Sequence, residues 1–225
     1  MKIMITGSSG NLGVELLKID NKIISPKRYE FDITNEDQMM RFFKNNNVSK
    51  VIHCAAMTNT SKCEIDIMEC IETNILGTIS LLKMQNIFKF KLIYISTDYV
   101  FDGECGNYKP EDPINPISNY SKSKAAAELA VRMNSDNLVI RTSFFPLEFK
   151  HSAAFVNQYT TKDFVDIIAP IVLEEAVSGK TGIVHVGVEK DSVYNKVKKR
   201  YPNIKKMSRK DITSVYIPKD TSLAK

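Results

Sequence analysis

The 225-residue sequence has no tryptophan, no low-complexity tract and no internal repeat. It has no apolar run near the ~18 residues that cross a bilayer, so no membrane partner is expected. The opening Met1-Lys2-Ile3-Met4-Ile5-Thr6-Gly7 is too short in apolar residues to read as a signal peptide. Four cysteines, Cys54, Cys63, Cys70 and Cys105, form no C-x-x-C pair and no metal-ligand spacing. They read as reduced thiols of a cytoplasmic protein, two of them core filler, and no metal is expected. Histidine is scarce as well. His53 and His185 lie in strand-like runs and read as core residues rather than ligands, while His151 has no assignment.

Hydrophobic residues make up 43% and charged residues 25%, enough apolar surface for one large domain or a core with a smaller appendage. The net charge of +5 is uneven. Lys196 to Lys210 holds eight basic residues and no acidic one, which leaves −3 for the rest of the chain. Such a run meets nucleic acid or a phosphorylated ligand in some proteins. No nucleic-acid module motif accompanies it here, so a solvated helix face and loop is the expectation, with no nucleic-acid partner.

Strand-like and helix-like segments alternate from the first residue. Lys2 to Thr6, Lys22 to Ser25, Lys50 to Ala55, Lys91 to Ser96 and Asn137 to Thr142 read as strands. Between them, Asn11 to Ile19, a helix capped by Thr34 with Met39, Phe42 and Phe43 on one face, and a long helix from Ile65 to Gln85 are expected. The long helix carries an apolar stripe of Ile71, Ile75, Ile79 and Leu82, and a further helix begins near Ser118. Alternation of this kind predicts an α/β fold with a doubly wound parallel sheet of the Rossmann type. Pro110, Pro113 and Pro116 mark an extended loop after Ser96. Beyond Phe144 the pattern loosens. A helix from Phe164 to Val177 bent at Pro170, a strand from Ile183 to Val186 and a basic helix from Ser192 suggest a small C-terminal α/β lobe. The expected division is 1–143 for the dinucleotide-binding domain and 144–225 for the lobe, partly interleaved with the core.

Three of only nine glycines fall in Thr6-Gly7-Ser8-Ser9-Gly10-Asn11-Leu12-Gly13, between the first strand and the first helix. Gly7 would permit the tight turn, Gly10 the approach of a pyrophosphate, and Gly13 close packing of helix on strand, with phosphates on the helix N-terminus. Asp32, in Phe31-Asp32-Ile33-Thr34, reads either as a turn or cap residue or as a partner of the adenine amino group. Cys54-Ala55-Ala56 offers small side chains for a flat ring and ribose across the strand tips. The segment after the second strand reads Ser25-Pro26-Lys27-Arg28, where Lys27 or Arg28 would meet a 2′-phosphate, so NADP is favoured over NAD.

Tyr120 and Lys124 are four apart on one helix and therefore share a face. A nearby ammonium favours the phenolate, so the pair suits proton exchange with a substrate oxygen. Thr97 would hydrogen-bond that oxygen, and Asn74, polar beside Ile75, would hold a water in a relay to Lys124.

In their order, G-x-x-G-x-x-G, Asp-Ile-Thr, Asn-x-x-Gly-Thr and Tyr-x-x-x-Lys resemble the extended short-chain dehydrogenase/reductases. Ser96-Thr97-Asp98-Tyr99-Val100-Phe101-Asp102-Gly103 is similar to the signature of the dTDP-4-dehydrorhamnose reductases within them. The resemblance runs from Lys2 to Ser143 and includes Asn115-Pro116 and Arg141-Thr142-Ser143. It implies Thr97, Tyr120 and Lys124 as the catalytic trio, and hydride transfer to the 4-keto group of a nucleotide-linked 6-deoxy sugar for surface-polysaccharide precursors. A homodimer is a possible assembly, which the sequence does not decide.

The last third departs from the family pattern. Phe144 stands where the family often has tryptophan, and the first helix of the substrate lobe has no counterpart between Phe145 and Phe155. Val156 to Asp163 and Ile217 to Leu223 still resemble family segments, so the lobe is trimmed rather than cut off. Two alternatives follow: a reductase or epimerase of another nucleotide sugar, or a non-catalytic NADP-binding regulatory subunit like that of methionine adenosyltransferase.

Overall fold

The computed structural model describes residues 2–212 and 216–224. Strand β1 (Ile3–Thr6) is followed by helix α1 (Asn11–Ile19), α2 (Glu36–Asn45), β2 (Lys50–His53), α3 (Thr60–Ile65) and α4 (Ile67–Cys70). A π-helical turn (Ile71–Leu76) leads into α5 (Gly77–Phe88), then β3 (Lys91–Ser96), α6 (Asn119–Val131) and β4 (Leu138–Arg141). Downstream come β5 (Phe144–Phe145), β6 (Ala153–Phe155), β7 (Tyr159–Thr160), β8 (Asp163–Phe164), α7 (Val165–Val177), β9 (Gly182–His185), β10 (Asp191–Ser192), α8 (Val193–Lys198) and β11 (Lys205–Met207).

The main sheet has the order β1-β2-β3-β4-β9, and every pairing in it is parallel. Its side chains alternate between two apolar layers, as parallel strands covered on both sides require. Met4, Val51, Leu92, Tyr94 and Val139 face Met39, Phe43, Leu81 and Val131 of α2, α5 and α6. Ile5, Ile52, Ile93, Leu138 and Ile140 face Leu12 and Leu16 of α1 and Ile168 and Val172 of α7. The doubly wound α/β architecture is therefore present.

Several expected elements differ in ways that have physical reasons. Lys22 to Ser25 is not a strand. Only Ile24 bridges Met4, exchanging two backbone hydrogen bonds with Ile3 and Ile5 at 2.8 Å before Pro26 ends the pairing. Asn35 rather than Thr34 caps α2, accepting from Gln38 N at 3.1 Å, because Thr34 is occupied by Asp32. The long helix is broken at Asp66, which caps α4 by accepting from Glu69 N, and is wound as a π-turn at Ile71–Leu76. That extra residue rotates the helix face. Asn74, Gly77, Thr78, Leu81 and Met84 are buried, and the predicted stripe of Ile71, Ile75, Ile79 and Leu82 is only half-buried.

The C-terminal third is not a separate layer. Helix α7 covers α1, and β9 closes the sheet beside β4, so both belong to the main core. What remains is a small lobe of three two-stranded pairs, β5·β8, β6·β11 and β7·β10, with α8 over a cluster of Phe145, Phe164, Val193 and Val197.

Candidate active site

Two cavities meet at the C-terminal edge of the sheet. The first, of about 570 Å³, runs from the glycine turn to Tyr120 and Lys124. It lies where the chain leaves β1 towards Ile24 on one side and returns as β2 on the other, the switch point at which open α/β sheets bind ligands.

At the turn, Gly7 adopts φ +72°, and a Cβ there would sit 2.6 Å from Ala55 N, inside the backbone at the end of β2. A Cβ on Gly13 would lie 2.4 Å from Gly7 O. Gly7 thus secures the approach to the neighbouring strand, and Gly13 lets α1 pack on the turn itself, not on a strand as expected. Gly10 is the N-cap of α1 and offers no side chain to its first N–H groups. The turn residues Ser9, Gly10, Asn11, Leu12 and Gly13 all line the cleft. Unshared N–H groups, a helix dipole and a glycine-lined wall fit the phosphates of a dinucleotide.

Arg28, Asp32 and Ile33 form the far end of this cleft. Arg28 Nε donates to Asp32 Oδ2 at 2.8 Å, and the Arg28 side chain is 82% exposed, so its terminal nitrogens face outward. Asp32 Oδ1 accepts from Thr34 N at 2.9 Å and from Thr34 Oγ1 at 2.8 Å. Burial raises the Asp32 carboxyl, but Arg28 and Thr34 outweigh it and hold the pKa below the ordinary value. Asp32 thus has a turn role through Oδ1, while Oδ2, with a single partner in Arg28, keeps acceptor capacity towards the cleft. Cys54, Ala55 and Ala56 form the floor, and burial pushes the Cys54 thiol up to about 12, which keeps it neutral. His53 is buried beneath them, bonded to Thr6 Oγ1 at 2.7 Å and Thr78 Oγ1 at 3.1 Å, and burial lowers its pKa to about 3. It is a neutral core residue.

At the other end, Thr97 follows β3 and Tyr120 and Lys124 lie on α6, whose N-cap Ser118 accepts from Ser121 N at 3.1 Å. All three line the cleft. Burial raises the Tyr120 pKa above its ordinary value, with the Thr97 hydroxyl pulling down and Asp98 pushing up. Lys124 lies 4.0 Å above the Tyr94 ring, and burial brings it down to about 7 against the pull of Cys54 and Glu128. Lys124 is expected to favour the phenolate, but in the free chain burial is the larger influence on Tyr120. There Tyr120 stays a protonated phenol.

Asn74 does not reach the cleft. Its Oδ1 accepts from Met57 N at 2.7 Å, and its Nδ2 donates to Met57 O at 3.0 Å and Ser123 Oγ at 2.8 Å. These bonds clamp the loop after β2 to α6 and engage the Asn74 side chain away from the cleft wall.

Ser143, Phe144 and Lys162 also line the cleft, beyond the expected site residues. Ser143 Oγ donates to the buried carboxylate of Asp98, and Phe144 and Lys162 come from the chain beyond β4. Asp98 and Ser143 lay inside segments already noted. Lys162 had no local signal, because only the return of β7 and β8 brings it to the cleft. The second cavity, of about 1460 Å³, shares Ser9, Tyr99, Phe144 and Lys162 with the first and is walled by Phe149, His151 and Ile217. No helix lies between β5 and β6, so the loop from Pro146 to Ser152 forms that wall, as the trimmed lobe predicts.

The family model described as RmlD substrate binding domain matches residues 1–166. A dTDP-4-dehydrorhamnose reductase of Aggregatibacter actinomycetemcomitans is 32% identical over 150 residues, which is 64% of this chain and 51% of that protein. The chain thus spans about half the length of this relative. The crystal structure of a hypothetical dTDP-4-dehydrorhamnose reductase from Sulfolobus tokodaii superposes with a TM-score of 0.85 at 30% identity, covering 99% of this chain and 92% of that one. A dTDP-4-dehydrorhamnose reductase from Bacillus anthracis, solved in complex with NADP, has the same fold (TM-score 0.88, 24% identity, 99% and 90% covered). The match over most of the chain, on a sheet whose switch point carries the glycine turn, establishes that this chain belongs to the dTDP-4-dehydrorhamnose reductase family.

Proposed function

We propose that the chain is an NADPH-dependent reductase of a nucleotide-linked 4-keto-6-deoxy sugar, acting in the cytoplasm in the supply of surface-polysaccharide precursors. The observation that carries this reading is the convergence of Thr97, Tyr120 and Lys124 on the cleft that begins at the glycine turn. The reductase names of its relatives support it. When bound, the dinucleotide supplies the hydride that reduces the carbonyl carbon. Gly10 to Gly13 hold its phosphates, and the free nitrogens of Arg28 meet a 2′-phosphate, which favours NADPH over NADH.

The chain's own residues then handle the proton. Tyr120, kept protonated by burial, gives its hydroxyl proton to the ketone oxygen as that oxygen gains charge. Thr97 Oγ1, 3.4 Å from Ser143 Oγ and 3.3 Å from Asp98 Oδ1, orients the same oxygen. Lys124 Nζ lies 4.0 Å from the centre of the Tyr94 ring on the cleft wall, where it serves the ribose of the nicotinamide half. The outer cavity seats the sugar and its nucleotide.

The test mixes purified protein with NADPH and a panel of 4-keto nucleotide sugars and follows cofactor absorbance. NADPH oxidation with a dTDP-4-keto-6-deoxy sugar is expected. Tight NADPH binding with no ketose reduced would favour the regulatory-subunit reading, which the trimmed lobe supports. A homodimer completes the proposal: Ile65, Met68 and Met133 are apolar and exposed (86%, 61% and 88%) on elements α3, α4 and the end of α6, and light scattering tests it.

A further inference from the structure

Lys162 occupies the neck between the two cavities and lines both. It sits in the turn between β7 and β8, with its Nζ 4.6 Å from the centre of the Phe145 ring. Among the described residues, no hydrogen-bond acceptor or carboxylate lies within bonding distance of that ammonium. Asp98 is the charge that acts on it, beyond hydrogen-bond reach, and its Oδ1 accepts from the Ser143 and Thr97 hydroxyls. Burial pushes the Lys162 pKa down, with Asp98 opposing. The other residues that line both cavities, Ser9, Asn11, Thr60, Tyr99 and Phe144, carry no charge.

A half-buried cation beside one aromatic face, with no anionic partner in hydrogen-bond reach, is only partly compensated. Cation–π attraction offsets only part of the lost hydration. A ligand that brought a negative oxygen to the neck would restore the missing partner. The cofactor phosphates have a cradle of their own at Gly10 to Gly13 and, for a 2′-phosphate, at Arg28.

We propose that Lys162 is a specificity-determining residue whose ammonium pairs with an anionic oxygen of the ligand held in the outer cavity. The proposal rests on the reading of that cavity as the seat of a nucleotide sugar. The oxygen has two chemical sources, the diphosphate of the nucleotide or a carboxylate on the sugar ring. Phe145, stacked against the ammonium, limits its reach to the neck.

Calorimetric titration of the NADPH-loaded protein with dTDP and, separately, with glucuronate distinguishes the two sources. Wild type should bind one of them at least tenfold more tightly than Lys162→Met, and Lys162→Arg should retain most of the affinity. The free Lys162→Met protein should melt no lower than wild type, because the half-buried ammonium makes no ion pair that the change would break. A merely structural lysine would instead lower Tm and leave binding unchanged. Should Lys162→Met fail to fold, Lys162→Gln serves the same comparison. Equal binding of both probes to wild type and variant, no binding of either to wild type, or an equal loss of NADPH affinity would overturn the assignment. Wild type that fails to bind NADPH would refute the reductase reading, and the two titrations, run without cofactor, would still decide Lys162.

Discussion

Tyr120 and Lys124 are held by the same burial and respond to it in opposite senses. Tyr120 keeps its proton, whereas Lys124 gives its proton up at about 7. For Tyr120→Phe, only one hydroxyl is lost, so fold and NADPH affinity should stay near wild type while single-turnover reduction falls by about 10²- to 10⁴-fold. Turnover that survives the change would remove Tyr120 from the mechanism. For Lys124 the linkage has a definite sign. The folded chain releases this proton at about pH 7 and the unfolded chain near 10.5, so between them the unfolded state binds more protons. Stability therefore rises with pH across that window. Urea midpoints at pH 7 and pH 9 should rise for wild type and rise less for Lys124→Met. An identical rise in both proteins would place the titration elsewhere.

Among the elements, the π-turn at Ile71–Leu76 has the clearest consequence. It turns Asn74 inward, 1% exposed, to satisfy both backbone groups of Met57. The loop so held carries Ala55, Ala56 and Thr58 on the wall of the cleft. Asn74→Leu leaves the N–H of Met57 unpaired and its C=O with only the weak Cys63 thiol donor. The expected result is a loss of about 1–3 kcal/mol in urea unfolding, together with weaker NADPH binding. Loss of rate alone, with stability and affinity kept, would return Asn74 to the chemistry. The glycine turn depends on backbone contact in the same way, since a Cβ at Gly13 meets Gly7 O rather than a movable side chain.

Across the whole molecule, the basic run is partly absorbed by the fold. Lys196 is buried, donating to Glu189 O at 2.7 Å, and Arg200 pairs with Asp166 at 2.8 Å. Lys198 and Lys206 both lie 5.5 Å from the Tyr194 ring. The remaining charge is spread over α8, β11 and the turns beside them, with no base-reading or stacking element. Binding to any oligonucleotide should be weak and fall steeply with salt, as counterion release requires. Submicromolar, sequence-dependent binding at physiological salt, measured by fluorescence anisotropy, would contradict this.

The parts that the sequence alone determined are those whose physics is local. Alternating apolar strands and capped helices needed only neighbouring residues, and α1 and β3 have the boundaries their patterns predicted. Gly7, Gly10 and Gly13 were legible because a strand-to-helix turn leaves no room for side chains, and Tyr120 and Lys124 because four residues make one helical turn. Tertiary structure decided what depends on partners distant in sequence. A π-turn rotated the predicted stripe of Ile71, Ile75, Ile79 and Leu82 half out of the core and put Asn74 on Met57 and Ser123. In the free chain burial was the larger influence on Tyr120, since desolvation sums over everything packed around a group. The return of the chain through β7 and β8 carried Lys162 to the reacting end of the cleft, where no spacing rule in the sequence could have placed it.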